Sequence, residues 1–399
     1  MWVFKKFKVM KYKIGILALM MLFASCSKEE KVYERGDVIE SSVIAEYSTD
    51  QVEQLLASRN FTNPLTLEYP VKAVKLVYQT IDPDGNKASA SGAVYYPDAD
   101  HVFPTVSFHH GTVTAKNFVA SVAPGNSEAG VVGMVMASMG YVFVTADYHG
   151  LGDSDVYYTY LMAESSATTV IDMLRAADAW CMDNGITRNE RLFLMGYSKG
   201  GYVTMATHRE IDRHYSDEFA VTASAPLAGS YVLKETFDSI ISRKTYDRPV
   251  LIAYVLASYN HHYRWDRIEQ FFNDPYGSMI YDLYDGTKWL DVINNQLPVA
   301  VSDLLSPQFI DNYLSGNEHD MTQAIALNEV LDWTPVAPVR LFHGDADSTV
   351  PYFNSVRALE YFQQNGKSNV DLITIEGKDH IQAAEDAIIK AIEWFEGMK

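Results

Sequence analysis

A chain of 399 residues, 48% hydrophobic and 13% aromatic, is too apolar for disorder and long enough for one large core or two modest ones. Its formal charge is −19, and the five lysines before residue 26 face no acid, so the remainder carries 27 bases against 51 acids, or −24. A body that acidic repels nucleic acid and anionic bilayers, while two cysteines, Cys26 and Cys181, exclude a disulfide scaffold and a cysteine-built zinc site.

The first 25 residues read as an address. Lys5, Lys6, Lys8, Lys11 and Lys13 precede Ile14–Ala24, an unbroken apolar run of 11 residues. That is about half of what a membrane-spanning helix needs, and it matches the hydrophobic region of a secretory signal. Met10 offers a second start with the same signal shape. The run ends in LFASC, Leu22–Cys26, which resembles a bacterial lipoprotein signal. The resemblance implies cleavage before Cys26, lipid attachment at that residue, and acyl chains that hold the protein on a membrane it does not span. An ordinary signal peptide with an incidental cysteine is the competing reading. SKEE at Ser27–Glu30 resembles the short acidic export signal of surface-exposed lipoproteins. The expectation is therefore an outer-membrane lipoprotein facing the cell surface.

Residues 26–47 read as a polar tether. Ser48 and Gln51 are spaced as a capping box for a short helix with Val52, Leu55 and Leu56 on one face. Ala73–Thr80 and Ala88–Tyr95 flank the turn signature DPDGN, Asp82–Asn86, and predict a β-hairpin. From Pro104 the pattern alternates strand with helix, which implies a mostly parallel α/β sheet flanked by helices. Strands are predicted at Thr105–Phe108, Tyr141–Ala146, Arg191–Met195, Ala220–Ser224, Val339–Phe342 and Val370–Ile375, with helices near 128–139, 165–183, 199–210, 352–365 and 381–397. Val170, Leu174, Ala177 and Cys181 share one helical face, so Cys181 reads as a buried apolar residue. Residues 230–335, rich in Tyr, Phe and Trp and broken by Pro275, Gly277, Gly286, Pro298 and Pro307, read as a helical cap. It interrupts a core made of residues 48–229 and 336–399.

The sharpest motif is GYSKG, Gly196–Gly200, between a predicted strand and a predicted helix. A serine at such an elbow is forced into tight backbone geometry, so its neighbours two before and two after must be small. The turn then lifts the hydroxyl into the open ahead of a helix N-terminus. Ser198 is the predicted nucleophile, with Gly196 and Gly200 shaping its elbow.

A serine hydroxyl needs a base, and the base an orienting acid, which follow in the order Ser, Asp, His after later strands. HGDADSTVP, His343–Pro351, and GKDH, Gly377–His380, fall where that order requires. Asp347 is the preferred acid and Asp345 its competitor. A calcium loop lacks its glycine and downstream glutamate. His380 is the predicted base. Asp379 beside it reads as a solvated loop acid, and His149 as a loop residue too early in the chain. His208 and His214 face away from the elbow, and His261 and His262 belong to the cap. No grouping has metal-ligand spacing, so no metal is expected.

Acyl transfer also needs a hole for the oxyanion. FHHGT, Phe108–Thr112, ends a strand where this order of elements supplies one backbone N–H, and the residue after the nucleophile, Lys199, supplies the other. Gly111 or Thr112 is the first donor, and His109 and His110 read as structural neighbours.

With these residues the chain resembles the α/β-hydrolase superfamily over residues 65–399. Within it the chain is most similar to the secretory lipase family and its bacterial esterase relatives. The narrower likeness rests on Tyr78–Gly92, on DYHGLGDS at Asp147–Ser154, on Tyr160–Leu161 and Leu174–Ala177, and on Asp332–Trp333 with Pro335. It implies a serine esterase or lipase with an aromatic helical lid, acting on a small-molecule, glycan or lipid ester without a cofactor. Lys199 departs from what its place favours, because a cation sits at the unfavourable end of a helix dipole. Its side chain is expected in water or paired with a cap acid, or else placed to attract an anionic substrate group. Rival readings are an esterase that removes acetyl or feruloyl groups from polysaccharides, a prolyl-oligopeptidase-like peptidase, and a surface binding lipoprotein on an inactive hydrolase scaffold.

Overall fold

A computed structural model describes residues 32–59, 61 and 65–399. The secretory signal, Cys26 and SKEE lie outside them. Within the described residues the chain begins with β1 (Val38–Tyr47), α1 (Thr49–Ser58), β2 (Val71–Ile81) and β3 (Lys87–Pro97). The α/β alternation follows: β4 (Phe103–His109), α2 (Glu128–Ser138), β5 (Val142–Ala146), α3 (Ala163–Asp183), β6 (Arg188–Tyr197), α4 (Lys199–His214) and β7 (Val221–Leu227). Between β7 and the next strand lie α5 (Leu233–Ile241), α6 (Pro249–His262), α7 (Ile268–Phe271), α8 (Tyr276–Leu283), α9 (Leu290–Asn294), α10 (Val301–Leu304), α11 (Pro307–Leu314) and α12 (His319–Leu327). The chain closes with β8 (Val339–Gly344), α13 (Phe353–Gln364), β9 (Val370–Ile375) and α14 (Gln382–Glu396).

The described strands form one sheet in the order β1-β2-β3-β5-β4-β6-β7-β8-β9. The hairpin β2–β3 joins it antiparallel, and every pair from β5–β4 to β8–β9 is parallel. One face of the sheet is covered by α3, α4, α13 and the helices inserted after β7, and the other by α1, α2 and α14. That two-sided cover explains why β4 and β5 are buried at every position and read in the sequence as continuous apolar runs.

Local signals place most elements. The Ser48–Gln51 capping box forms, and Asp82 accepts from the backbone of Asp84 and Asn86 to make the hairpin turn. One expectation is corrected: the tether assigned to 26–47 gives way at Val38 to β1, which pairs antiparallel with β2. Every β1 position is exposed or half-buried, so this edge strand never shows the apolar run that marks an inner one. Cys181 is fully buried on α3, and burial pushes its thiol up to about 11.

Candidate active site

The elbow is built by backbone contact. Ser198 has φ +59°, a left-handed conformation unusual for a side chain of its kind. A Cβ on Gly196 would lie 2.3 Å from the carbonyl oxygen of His109, and one on Gly200 1.8 Å from it. The two small residues are thus required by the close passage of β4 beside the elbow. Ser198 N–H donates to Leu227 O on β7 at 2.9 Å, which ties the turn to the sheet.

Two loops reach the serine. His380, between β9 and α14, brings Nε2 to 2.9 Å from Ser198 Oγ, and its Nδ1 lies 2.5 Å from Asp347 Oδ2. Tyr197 OH donates to His380 O at 2.6 Å, fixing the histidine's backbone from the elbow side. Asp347 Oδ1 accepts N–H groups from Thr349 and Val350, each at 2.9 Å. Its side chain is fully buried. Burial opposes its ionisation, yet hydrogen bonds from His343 and His380 hold its carboxyl below the usual carboxylate range. An imidazole that touches a hydroxyl can draw its proton, and a carboxylate oriented on that imidazole stabilises the resulting imidazolium.

The competing candidates sit elsewhere. Asp345 accepts from Gly377 N–H at 2.6 Å and so clips the two loops together. Asp379 accepts from Ile381 and Gln382 N–H near the start of α14. His149 bonds Ile81 O, His208 bonds Ser224 Oγ, and His262 bonds Tyr158 O. His109 lies between Ser107 and Thr204 hydroxyls, and burial pushes it down to about 3.

Three residues depart from, or escape, the sequence reading. Lys199 is not in water and, among the described residues, has no acid beside it: it is 8% exposed, with Nζ 4.0 Å from the ring centre of Tyr148 and 5.7 Å from that of Tyr160. Loss of hydration pushes its ammonium down to about 7, and the aromatic faces attract the charge that remains. His343, at the end of β8, brings Nε2 to 3.1 Å from Asp347 Oδ2 and 2.9 Å from Val350 O, while Ser355 Oγ lies 2.8 Å from Nδ1. It buttresses the acid from behind. Glu128 is the second escape: its Oε2 accepts the N–H of Gly111 at 3.1 Å, so one of the two anticipated oxyanion donors is already engaged.

Ser198 opens into two cavities. One, of about 40 Å³, is walled by Lys199, Leu233, Phe237, Ile240, Tyr246 and Ile252 among others. The other, of about 400 Å³, is walled by Thr112, Glu128, Arg248, Leu290, Asp291 and His380 among others. Other cap aromatics are structural. Tyr254 stacks between Tyr160 and Tyr284, with ring centres 4.3 and 4.7 Å away.

A mostly parallel sheet carrying a serine elbow, with an acid and a histidine on later strand ends, defines an α/β-hydrolase. The solved structures agree. LipA, a rice cell wall degrading esterase from Xanthomonas oryzae, superposes with a TM-score of 0.79 at 30% identity, over 90% of this chain and 95% of that one. A Legionella pneumophila protein described as a hydrolase gives 0.83 at 27% identity, over 90% and 97%. Candida antarctica lipase A in its closed state, at 15% identity and a TM-score of 0.70 over 91% and 82%, shares the fold. A search of curated proteins finds no match. Residues 128–397 match the secretory lipase family, and the chain belongs to that family. It is a carboxylic ester hydrolase.

Proposed function

We propose that the chain is a lipid-anchored, extracytoplasmic serine esterase. Ser198 attacks the ester carbonyl while His380 takes its proton, and Asp347 orients His380 and stabilises its charged form. Because Gly111 N–H is held by Glu128, Thr112 N–H and Lys199 N–H receive the oxyanion. Lys199 opens α4, where an N–H has no intrahelical acceptor. The collapsing intermediate expels the alcohol, protonated by His380. Water activated by the same histidine then frees the acid from the acyl-enzyme. The observation that carries this reading is the unbroken line of hydrogen bonds from Ser198 through His380 to Asp347 at a cavity mouth.

The test is hydrolysis of a chain-length series of p-nitrophenyl esters by wild type and Ser198→Ala. The substitution is expected to cost about 10⁴-fold or more; comparable rates in both proteins would sink the serine mechanism. A second reading, deacylation of polysaccharide esters, is favoured by the wide cavity beside Ser198 and by the likeness to a cell wall degrading esterase. Release of acetate or ferulate from esterified xylan separates the two. Anchoring at Cys26 is supported by the lysine-rich start and LFASC, and export by the secretory family. A Cys26→Ser protein that stays in the washed membrane fraction as wild type does would rule the anchor out.

A further inference from the structure

Glu128 is a titratable group facing the reacting centre whose part in the steps above stops at its hold on Gly111 N–H. It is the first residue of α2, directly after the N-cap Ser127, and the crossover from β4 aims that helix start at the loop 108–112. Its carboxyl lines the wide cavity together with Thr112, Ser198 and His380. Among the described residues it has no ion-pair partner; the one hydrogen bond to it comes from Gly111 N–H.

We propose that Glu128 is a positioning residue for the oxyanion hole, holding Gly111 so that Thr112 N–H faces the intermediate, and that it must be neutral for turnover. This rests on the serine reading. In the tetrahedral intermediate a full negative charge settles on the N–H groups of Thr112 and Lys199. A carboxylate bonded one residue away, in a site walled by protein, opposes that charge, and the repulsion grows as the local dielectric falls. A neutral carboxyl keeps its carbonyl oxygen for Gly111 N–H and adds no repulsion.

The surroundings favour the neutral form. Loss of hydration raises the Glu128 carboxyl to about 7, against a smaller opposite pull from Gly111 N–H. Its exposed surface faces the cavity, whose water moderates that shift. The groups around it are Tyr148 and Tyr197, phenols that burial keeps un-ionised, with His380, Arg248 and Asp291 on the same cavity wall. Arg248 is already paired with Asp291 at 2.8 Å.

One pH dependence follows: ionisation of Glu128, as pH climbs from the ordinary carboxyl range through about 7, makes the rate fall. The experiment is kcat/KM for a neutral p-nitrophenyl ester between about pH 5 and pH 9, with wild type, Glu128→Gln, Glu128→Ala and Ser198→Ala side by side. Wild type is expected to show a descending limb, losing about tenfold on the alkaline side, part of what one oxyanion donor supplies. Gln accepts from Gly111 and cannot ionise, so its profile lacks the descending limb whatever its maximum. Ala leaves Gly111 unheld, lowering the rate across the range, also without the limb. A descending limb in the Gln variant like that of wild type, or none in wild type, overturns the inference alone. Activity retained by Ser198→Ala overturns the serine reading, and this inference with it.

Discussion

The two cavities that meet at Ser198 differ tenfold in size, about 40 against about 400 Å³, and each holds one ionisable group brought close to neutrality. Lys199 in the narrow one, nearly out of water, is pushed down to about 7, and Glu128 in the wide one, which keeps surface exposed to the cavity, is pushed up by a partial loss of hydration. Desolvation penalises charge of either sign, so the acidity of the whole molecule does not carry into its centre. What separates the two groups is their company. Lys199 lies among aromatic faces that a cation can use, whereas Glu128 has one N–H and the cavity. The lysine is therefore a packing element under the loop, and the glutamate faces the cavity beside Ser198.

The contrast can be broken at its hinge. A Cβ at Gly200 would sit 1.8 Å from a backbone oxygen, so Gly200→Ala must displace the elbow that serves both cavities. We expect turnover of every ester to fall by about 10³-fold or more, as when an oxyanion donor is lost, which steady-state assays across the ester series would register. The next test asks which half of the ester each cavity takes. Phe237→Ala enlarges the narrow one and should shift preference toward larger groups by about 10–200-fold in either the acyl or the alcohol series. A shift of equal size in both would erase the division.

Two smaller effects concern stability. The folded state lowers the Lys199 pKa, so its charge is penalised increasingly as pH falls from the ordinary lysine range toward about 7. Lys199→Met should then stabilise the protein at neutral pH by about 1–2 kcal/mol, the penalty of a buried charge less its cation–π attraction, and by less at alkaline pH. Glu128 has the opposite slope: its folded pKa is raised, so stability is lost as pH climbs from the ordinary carboxyl range through about 7. Glu128→Gln should recover no more than about 1 kcal/mol above neutrality, since cavity water screens the charge, and nothing near pH 4. Urea unfolding at several pH values checks both.

The positions of Ser198, Asp347 and His380 at three strand ends were legible because an elbow imposes small residues at fixed offsets and a parallel sheet imposes the order of later strands. The capping box at Ser48 and the turn at Asp82 were legible for the same kind of reason, a local hydrogen-bond pattern with a fixed spacing. Glu128 was hidden because its place depends on how a crossover aims α2 at a loop sixteen or more residues upstream. Acidic residues are also favoured at any helix start, so its type carried no signal. The burial of Lys199 was hidden because a dipole argument says where its charge is unwelcome, not that two tyrosines wait behind the elbow. His343 stood inside a quoted motif, but its hold on Asp347 requires the turn through Val350 to fold back.

The edge strand β1 bears on how the enzyme is handled. It covers the open side of β2, so starting the chain at residue 48 would uncover ten residues' worth of unpaired backbone along that side. Such an edge recruits strands from other molecules. β1's own outer side is blunted by its irregular register and by Glu40 and Glu46. A shortened form that stays dispersed in solution is therefore expected to begin before Val38, and one that begins at Ser48 to aggregate.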